Sequence, residues 1–348
     1  MNKLFIHFLL CASALAQAVP QPQSSPQETP QPQPQQTPLL ATNESRFIVD
    51  DEAFEKEAHA RTEELAKEGK LVNYTEIAKN TPAEHPGLTM AAVSTNSLAP
   101  TELADVLRRS TVALGLRYQE PKSKKWRFMI GATAFAVAPE IFSTSLHVMT
   151  IDPEMMRDAQ AVALTHDGKV FPVTGVIASS DRADTCLISV PGLDLPPLPL
   201  RGGVTAGEQV WCMSHPDGFT YMFTSGQVAR VSRDRWDEKH QPSLHVEVTA
   251  EYCPGSSGGA LADAAGNVVA QVSSINNYDG FTSRDGKAVY GIVSARTCTA
   301  AEEMLFLAQP GANEPVPRPT ATPKPKHRVP KEGPKAAPSS SPGPVPKS

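Results

Sequence analysis

The sequence predicts an all-β protein: two tandem six-stranded β-barrels with a short C-terminal helix, flanked by disordered Pro-rich tails. Three observations carry this prediction. Proline makes up 33 of 348 residues, about twice the ordinary share. It gathers at the two ends, with seven Pro and seven Gln within 19–38 and twelve Pro within 310–348. From Pro100 onward, short strand-like runs alternate with turn residues, and they fall into two sets of six either side of the Pro-rich stretch Pro191–Pro199.

In chain order, Met1-Asn2-Lys3, the apolar run Leu4–Val19 and the small-x-small step Ala16-Gln17-Ala18 read as a secretory signal over 1–18. The apolar run is short for a membrane crossing and Pro20 ends it. Residues 19–42 form an extended, solvated Pro/Gln tract. Residues 43–100 are an acidic, partly helical segment and linker. There Glu52/Lys56, Glu57/Arg61 and Glu63/Lys67 are acid-before-base pairs four apart, which support a helix within 50–70. Its apolar face is thin (Phe54, Ala58, Leu65), so it is expected as a marginal surface helix, with a propeptide or docking role left open.

Thr101 is expected to cap a helix over 102–109. The first six strands are expected at 111–116, 128–137, 141–143, 161–164, 170–178 and 185–190. The second six are expected at 209–213, 222–231, 244–248, 259–261, 268–273 and 289–294. An amphipathic helix over 299–308 closes the folded region 101–309. Residues 310–348 form a Pro/Lys-rich disordered tail.

The net charge of −5 divides unevenly. The tail from Pro310 carries seven Lys/Arg against Glu314 and Glu332, so it is +5 and the remainder −10. That excludes a chain-wide nucleic-acid footprint. The tail is left as a solvated tether or a weak contact with an anionic envelope surface. After the leader, Cys186, Cys212, Cys253 and Cys298 remain; they allow three disulfide pairings or four free thiols, and spacing does not choose. No metal-ligand spacing or cofactor motif is present. His240 and His245 lack carboxylate or cysteine partners at useful spacing, and His215 before Pro216 reads as a turn residue.

Three residues stand out by their settings. His147 ends an apolar strand pair, Asp184 opens the buried-looking run Asp184-Thr185-Cys186-Leu187-Ile188, and Ser257 sits in Pro254-Gly255-Ser256-Ser257-Gly258-Gly259. A serine hydroxyl becomes nucleophilic when a neutral imidazole takes its proton, and the imidazole needs a carboxylate to hold its tautomer. Two fixed N–H donors must then meet the oxyanion, and the step from Gly255 to Ser257 can supply both. Gly-x-Ser-x-Gly is also a nucleophile-elbow pattern, but that fold needs its histidine after the serine. Only His327, in the tail, follows Ser257, so the order His-Asp-Ser excludes the elbow.

With these motifs in view, residues 101–309 resemble the trypsin-like serine peptidases (chymotrypsin-fold), and most closely their HtrA/Deg-like branch. Thr144-Ser145-Leu146-His147-Val148 is similar to the family's Thr-x-Ala-His-Val, and 184–188 to its Asp-Leu-Ala-Leu-Leu strand. Residues 254–260 resemble Pro-Gly-Asn-Ser-Gly-Gly-Pro. Ser225-Gly226 and Gly266-Asn267-Val268-Val269 add to the match. The resemblance implies His147 as general base, Asp184 as its orienter, Ser257 as nucleophile, and the amides of Gly255 and Ser257 as the oxyanion hole. By position, Ser273 would hydrogen-bond the catalytic Asp. Glu251, six residues before Ser257, would floor the primary specificity pocket and favour Lys or Arg, or else point to solvent or pair with an arginine such as Arg230 outside the pocket.

The departures are Ser256 for Asp or Asn, Leu146 for a small residue and Ala260 for Pro; the branch's usual C-terminal PDZ domain does not fit in 310–348. The expectation is an exported, secreted or periplasmic serine endopeptidase acting on protein or peptide substrates through an acyl-enzyme, without a cofactor. The alternative is a catalytically weak or silent peptidase-fold binding module.

Overall fold

A computed structural model describes residues 47–79, 85–151, 154–233, 242–278, 281–282, 288–289 and 293–312. The expected signal peptide, the Pro/Gln tract, His240 and nearly all of the C-terminal tail lie outside the described residues.

Small and β-branched residues dominate the first set of strands: β1 (Thr111–Gln119), β2 (Trp126–Ala138), β3 (Ile141–Thr144), β4 (Arg157–Leu164), β5 (Val170–Pro172), β6 (Gly175–Ser180) and β7 (Thr185–Ser189). They pair in the order β5-β4-β1-β2-β3-β7-β6. The run expected over 170–178 is two strands, because Pro172 has no N–H to continue a ladder. Only Val173 and Thr174 separate the sheet's two edge strands. The Val173 amide donates to Ala161 of β4 at 3.0 Å and the Thr174 amide to Ser189 of β7 at 3.0 Å. One run of chain therefore serves both edges and rolls the sheet up at that corner.

The second set closes fully: β8 (Gln209–Ser214), β9 (Met222–Arg233), β10 (Leu244–Val248), β11 (Ala260–Ala262), β12 (Val268–Tyr278) and β15 (Val293–Ala300) form a barrel ordered β10-β15-β12-β11-β8-β9. Two short strands, β13 (Phe281–Thr282) and β14 (Ala288–Val289), pair beside it. The last barrel strand lies later than the expected 289–294. Its sequence, Val-Ser-Ala-Arg-Thr-Cys-Thr-Ala, has few large apolar residues, so its alternation is weak, although Cys298 and Ala300 face the core.

The first set is thus a seven-stranded half-barrel, against the six strands expected, and it and the closed barrel each have their own core, with a third cluster between them. Phe135, Leu187, Leu198, Met213 and Ala260 pack there with Leu103 and Leu107 of α3 (Pro100–Ser110) and Met304 of α4 (Ala301–Leu307). The α3 boundary corrects the expected cap. Pro100 occupies the first turn, where its missing N–H costs nothing, and the Glu102 carboxylate accepts the Ala99 N–H at 3.0 Å. Thr101 is inside the helix.

The segment before Pro100 is bound to the barrels. Helix α1 (Asp51–Lys67) packs Phe54 and Ala58 against Ala113, Ile130, Val162 and Leu164 on the outside of the first sheet. Glu63 leaves the expected Lys67 pairing and holds buried Arg117 with two hydrogen bonds, 2.7 and 3.2 Å. Ile77 of α2 (Tyr74–Lys79) is buried in the first core. Further on, His85 Nε2 faces the Ala312 carbonyl at 3.1 Å, and Asn267 holds Ser94 through both its oxygen and its nitrogen.

Gly226 in β9 shows how tightly the second barrel is wound. A Cβ there would lie 2.2 Å from the Ala250 nitrogen and 2.6 Å from its Cα, and backbone cannot yield as a side chain can. Gly226→Ala is expected to destabilise the domain by roughly 3 kcal/mol, read as a lower urea midpoint; an unchanged midpoint would contradict the packing described.

Candidate active site

His147 follows β3 in a single 3-10 turn, Leu146–Met149. The turn is anchored from both sides. Leu146 enters the first core, and the Ser145 hydroxyl donates to the Val272 carbonyl of the second barrel at 2.8 Å. The large residue before the histidine is thus absorbed by the core, and the imidazole is left half exposed.

Asp184 sits in the left-handed region, φ +49°, which Asp tolerates better than most residues. The turn before it is fixed by the second barrel and α4. Thr299 donates to the Ala183 carbonyl at 2.5 Å, and Arg182 pairs with Glu303 at 2.8 Å. So held, the Asp184 carboxylate grips His147 twice: Oδ1 accepts its backbone N–H at 2.9 Å and Oδ2 lies 2.8 Å from Nδ1. The Ser273 hydroxyl donates to Oδ2 at 2.6 Å. The other ring nitrogen, Nε2, lies 2.9 Å from Ser257 Oγ.

Ser257 occupies a loop whose shape demands glycine. At Gly258, φ +85°, a Cβ would come within 2.1 Å of the Thr133 carbonyl; at Gly255, φ +95°, it would come within 2.5 Å of the His215 carbonyl. Ser256 is fully buried and accepts a hydrogen bond from the Ser214 hydroxyl at 3.0 Å, a neutral anchor in place of the family's Asp or Asn. The Ser256 N–H donates to Cys253. Among the described residues, the amides of Gly255 and Ser257 have no backbone acceptor. The Pro254 carbonyl is held by the Asp217 N–H at 2.7 Å, and in a trans peptide the Gly255 N–H points the opposite way.

Beneath this loop lies a group that sequence reasoning took for a turn residue. His215 is fully buried, with Nδ1 3.0 Å from the Thr133 hydroxyl. That hydroxyl accepts the His215 backbone N–H at 3.1 Å and lies 3.2 Å from the Gly255 carbonyl, to which it can donate. Thr133 also donates its own N–H to the Ser257 carbonyl at 2.9 Å. With the imidazole proton on Nδ1, the ring donates to Thr133 and frees that hydroxyl to donate to Gly255. Nε2 has no partner among the described residues, and a buried lone pair is better tolerated there than a buried orphan N–H. The only sequence signal for His215 was its place at the end of an apolar strand; its contacts to Thr133 and Gly255 span long stretches of chain.

Glu251 is exposed and forms an ion pair with Arg296, while Arg230 is taken by Glu247. Next to it, the Tyr252 hydroxyl donates to the carbonyls of Ser274 at 2.9 Å and Thr297 at 3.2 Å, bridging β12 and β15. Among the described residues, Cys186, Cys212, Cys253 and Cys298 are free thiols, Cys253 half-buried and the others buried; burial pushes Cys212 up to about 12. His245 Nε2 faces the Ser243 hydroxyl at 2.8 Å.

With the geometry in place, comparison with known proteins is informative. Residues 132–270 match the trypsin-like peptidase domain. The chain is 34% identical over 168 residues to a DegP-like periplasmic serine endoprotease of Pseudomonas fluorescens, covering 48% of this chain and 32% of that protein. A DegP-like protein of Hahella chejuensis is 33% identical over 107 residues, 30% of this chain and 22% of the relative. The chain thus spans about a third or less of the length of these relatives. Among solved structures, the active form of the Rv3671c protease from M. tuberculosis is 20% identical, covers 67% of this chain and 97% of that one, and superposes with a TM-score of 0.46. The class the match points to is therefore a trypsin-like peptidase domain over residues 132–270. The curated relatives it is similar to are DegP-like serine endoproteases, of the HtrA/Deg-like branch that the sequence motifs resemble.

Burial lowers the His215 pKa to about 3, against roughly 6.5 for a free imidazole. Below roughly pH 6.5 the unfolded chain takes up a proton that the folded domain refuses. This residue therefore costs stability as pH falls from about 6.5 towards 3, by up to about 1.4 kcal/mol per pH unit. His215→Gln removes that penalty. Urea unfolding between pH 7 and 4 should show wild-type stability falling more steeply than the variant's; parallel curves would contradict a neutral buried imidazole.

Proposed function

We propose that this domain is a serine endopeptidase that hydrolyses peptide bonds through an acyl-enzyme. The observation that carries the reading is the His147 ring, with Asp184 Oδ2 2.8 Å from Nδ1 and Ser257 Oγ 2.9 Å from Nε2. Nε2 takes the Ser257 proton as Oγ attacks the substrate carbonyl carbon, while Asp184 stabilises the imidazolium that forms. The amides of Gly255 and Ser257 receive the negative charge that develops on the carbonyl oxygen. His147 then passes its proton to the departing amine, leaving an ester on Ser257. A water, deprotonated by His147, attacks that ester, and the acid product and free hydroxyl are released.

The substrates proposed are extended or unfolded protein segments, to which the half-exposed His147 imidazole is open. An exported location, periplasmic or extracellular, agrees with the leader-like start of the chain and with the relatives named periplasmic. Glu251 is exposed and neutralised by Arg296, and Tyr252 bridges β12 and β15 through its hydroxyl. Position 251 therefore offers no free anion to Lys or Arg, and apolar side chains before the cleaved bond are the proposed preference.

Ser257→Ala should lower turnover of an unfolded protein substrate by on the order of 10⁶, and hydrolysis retained in this variant would sink the assignment. For specificity, kcat/KM on paired peptides should favour Val or Ala over Arg before the cleaved bond. A tenfold preference for Arg would restore Glu251 as the pocket's floor.

A further inference from the structure

The turn between β8 and β9 is strained. Asp217 at φ +48° and Tyr221 at φ +56° are both in the left-handed region, with Gly218 at +84° between them. A bulky aromatic pays heavily for that conformation and keeps it only when its surroundings over-determine it. This turn also carries the groups that face the nucleophile loop. Its Asp217 amide holds the Pro254 carbonyl and so orients the Gly255 peptide, and its His215 engages the Thr133–Gly255 contact.

What over-determines the turn comes from far away in the chain. Asp51, in the first turn of α1, accepts both the N–H and the hydroxyl of Thr220 on one oxygen, each at 2.8 Å. One turn later, Phe54 meets the Tyr221 ring edge to face, centroids 6.2 Å apart. Tyr221 in turn stands edge to face against His215, 4.6 Å between centroids, and its hydroxyl donates to the Leu164 carbonyl at 3.1 Å. The contacts run unbroken from Asp51 and Phe54 through Thr220 and Tyr221 to His215 and Asp217, and from these to Gly255. Asp50 caps the same helix through the Ala53 amide at 2.9 Å, so Asp51 is presented from a fixed helix end.

We propose that the first turn of α1 is an activating brace: Asp51 and Phe54 are positioning residues that hold the Pro216–Tyr221 turn, and through it the Gly255 amide, in the geometry that receives the oxyanion. The segment containing α1 is then part of the working enzyme and is no removable inhibitor. Proteolytic loss of α1 would switch the site off while leaving His147, Asp184 and Ser257 in place. This rests on the reading of the site as a serine peptidase.

The test uses the full chain carrying Asp51→Ala, Asp51→Asn or Thr220→Val. The readouts are kcat and KM on a peptide substrate, the rate of labelling by a fluorescent phosphonate, and the melting temperature. Asp51→Ala should lower kcat and the labelling rate about tenfold with KM unchanged. Asp51→Asn, which keeps an acceptor oxygen, should recover most of the loss. Thr220→Val keeps the N–H bond, loses the hydroxyl bond, and should fall between wild type and Asp51→Ala; it also serves if Asp51→Ala fails to fold. A lowered melting temperature with kcat intact at a temperature where the variant is folded would overturn the proposal, as would Asp51→Asn no better than Asp51→Ala. Failure of the peptidase reading would look different: wild type itself would neither label nor turn over.

Discussion

Packing between the two barrels is the constraint on which the rest of the structure depends. His147 and Asp184 are carried by the first barrel and Ser257 by the second, so the 2.9 Å separation of imidazole and hydroxyl is set by how the barrels meet. The apolar cluster of Phe135, Leu187, Met213 and Ala260, sealed by α3 and α4, fills that junction. Interiors at this density yield little, which is what a site assembled from two bodies requires. Polar bonds across the same seam give the junction direction. Ser145 reaches Val272, Thr299 reaches Ala183, and Ser273 reaches Asp184, each fixing one member of the site from the opposite barrel.

The nucleophile loop is organised on the same principle at a smaller scale. Its own sequence supplies conformational freedom through Gly255 and Gly258, and its neighbours remove that freedom. Thr133 meets the loop at the Ser257 and Gly255 carbonyls, while Ser214 anchors Ser256 with a neutral hydrogen bond. An Asp at Ser256 would bring a charge into a fully buried position and need its own counter-charge. Serine avoids that need, and the load passes to the Asp217 amide and the buried His215. The strained turn carrying these two groups in turn leans on α1, which connects the segment before Pro100 to the chemistry.

Much of this was legible in the sequence, because it is written in local pattern. The strands and the glycine loop depend on residues within ten positions of one another, and the order His-Asp-Ser is readable because each of the three stands in its own short motif. The junction of β5 and β6 is hard to read because Val170–Ala178 is mostly apolar, with only Pro172 and the Thr174-Gly175 step to mark the break. β15 was placed too early because Cys298 and Ala300 give a faint alternation beside polar Thr297 and Thr299. His215 and Asp51 were illegible for another reason: each matters through a partner 82 or 169 positions away, and no local signal records such a pairing. For Glu251 the sequence leaves the pocket floor, solvent and an arginine partner open; the residue is exposed and its partner is Arg296, not Arg230.

The central claim is that Ser257 is an activated nucleophile with an oxyanion site beside it, and trapping the covalent intermediate tests it most directly. The purified full-length chain would be mixed with an activated ester peptide at low pH, where deacylation is slow, quenched, digested and mapped by mass. The account predicts one acyl group per chain, on the peptide containing Ser257, forming in a burst and absent from His147→Ala. No adduct, or an adduct on another residue such as Cys253, would contradict it.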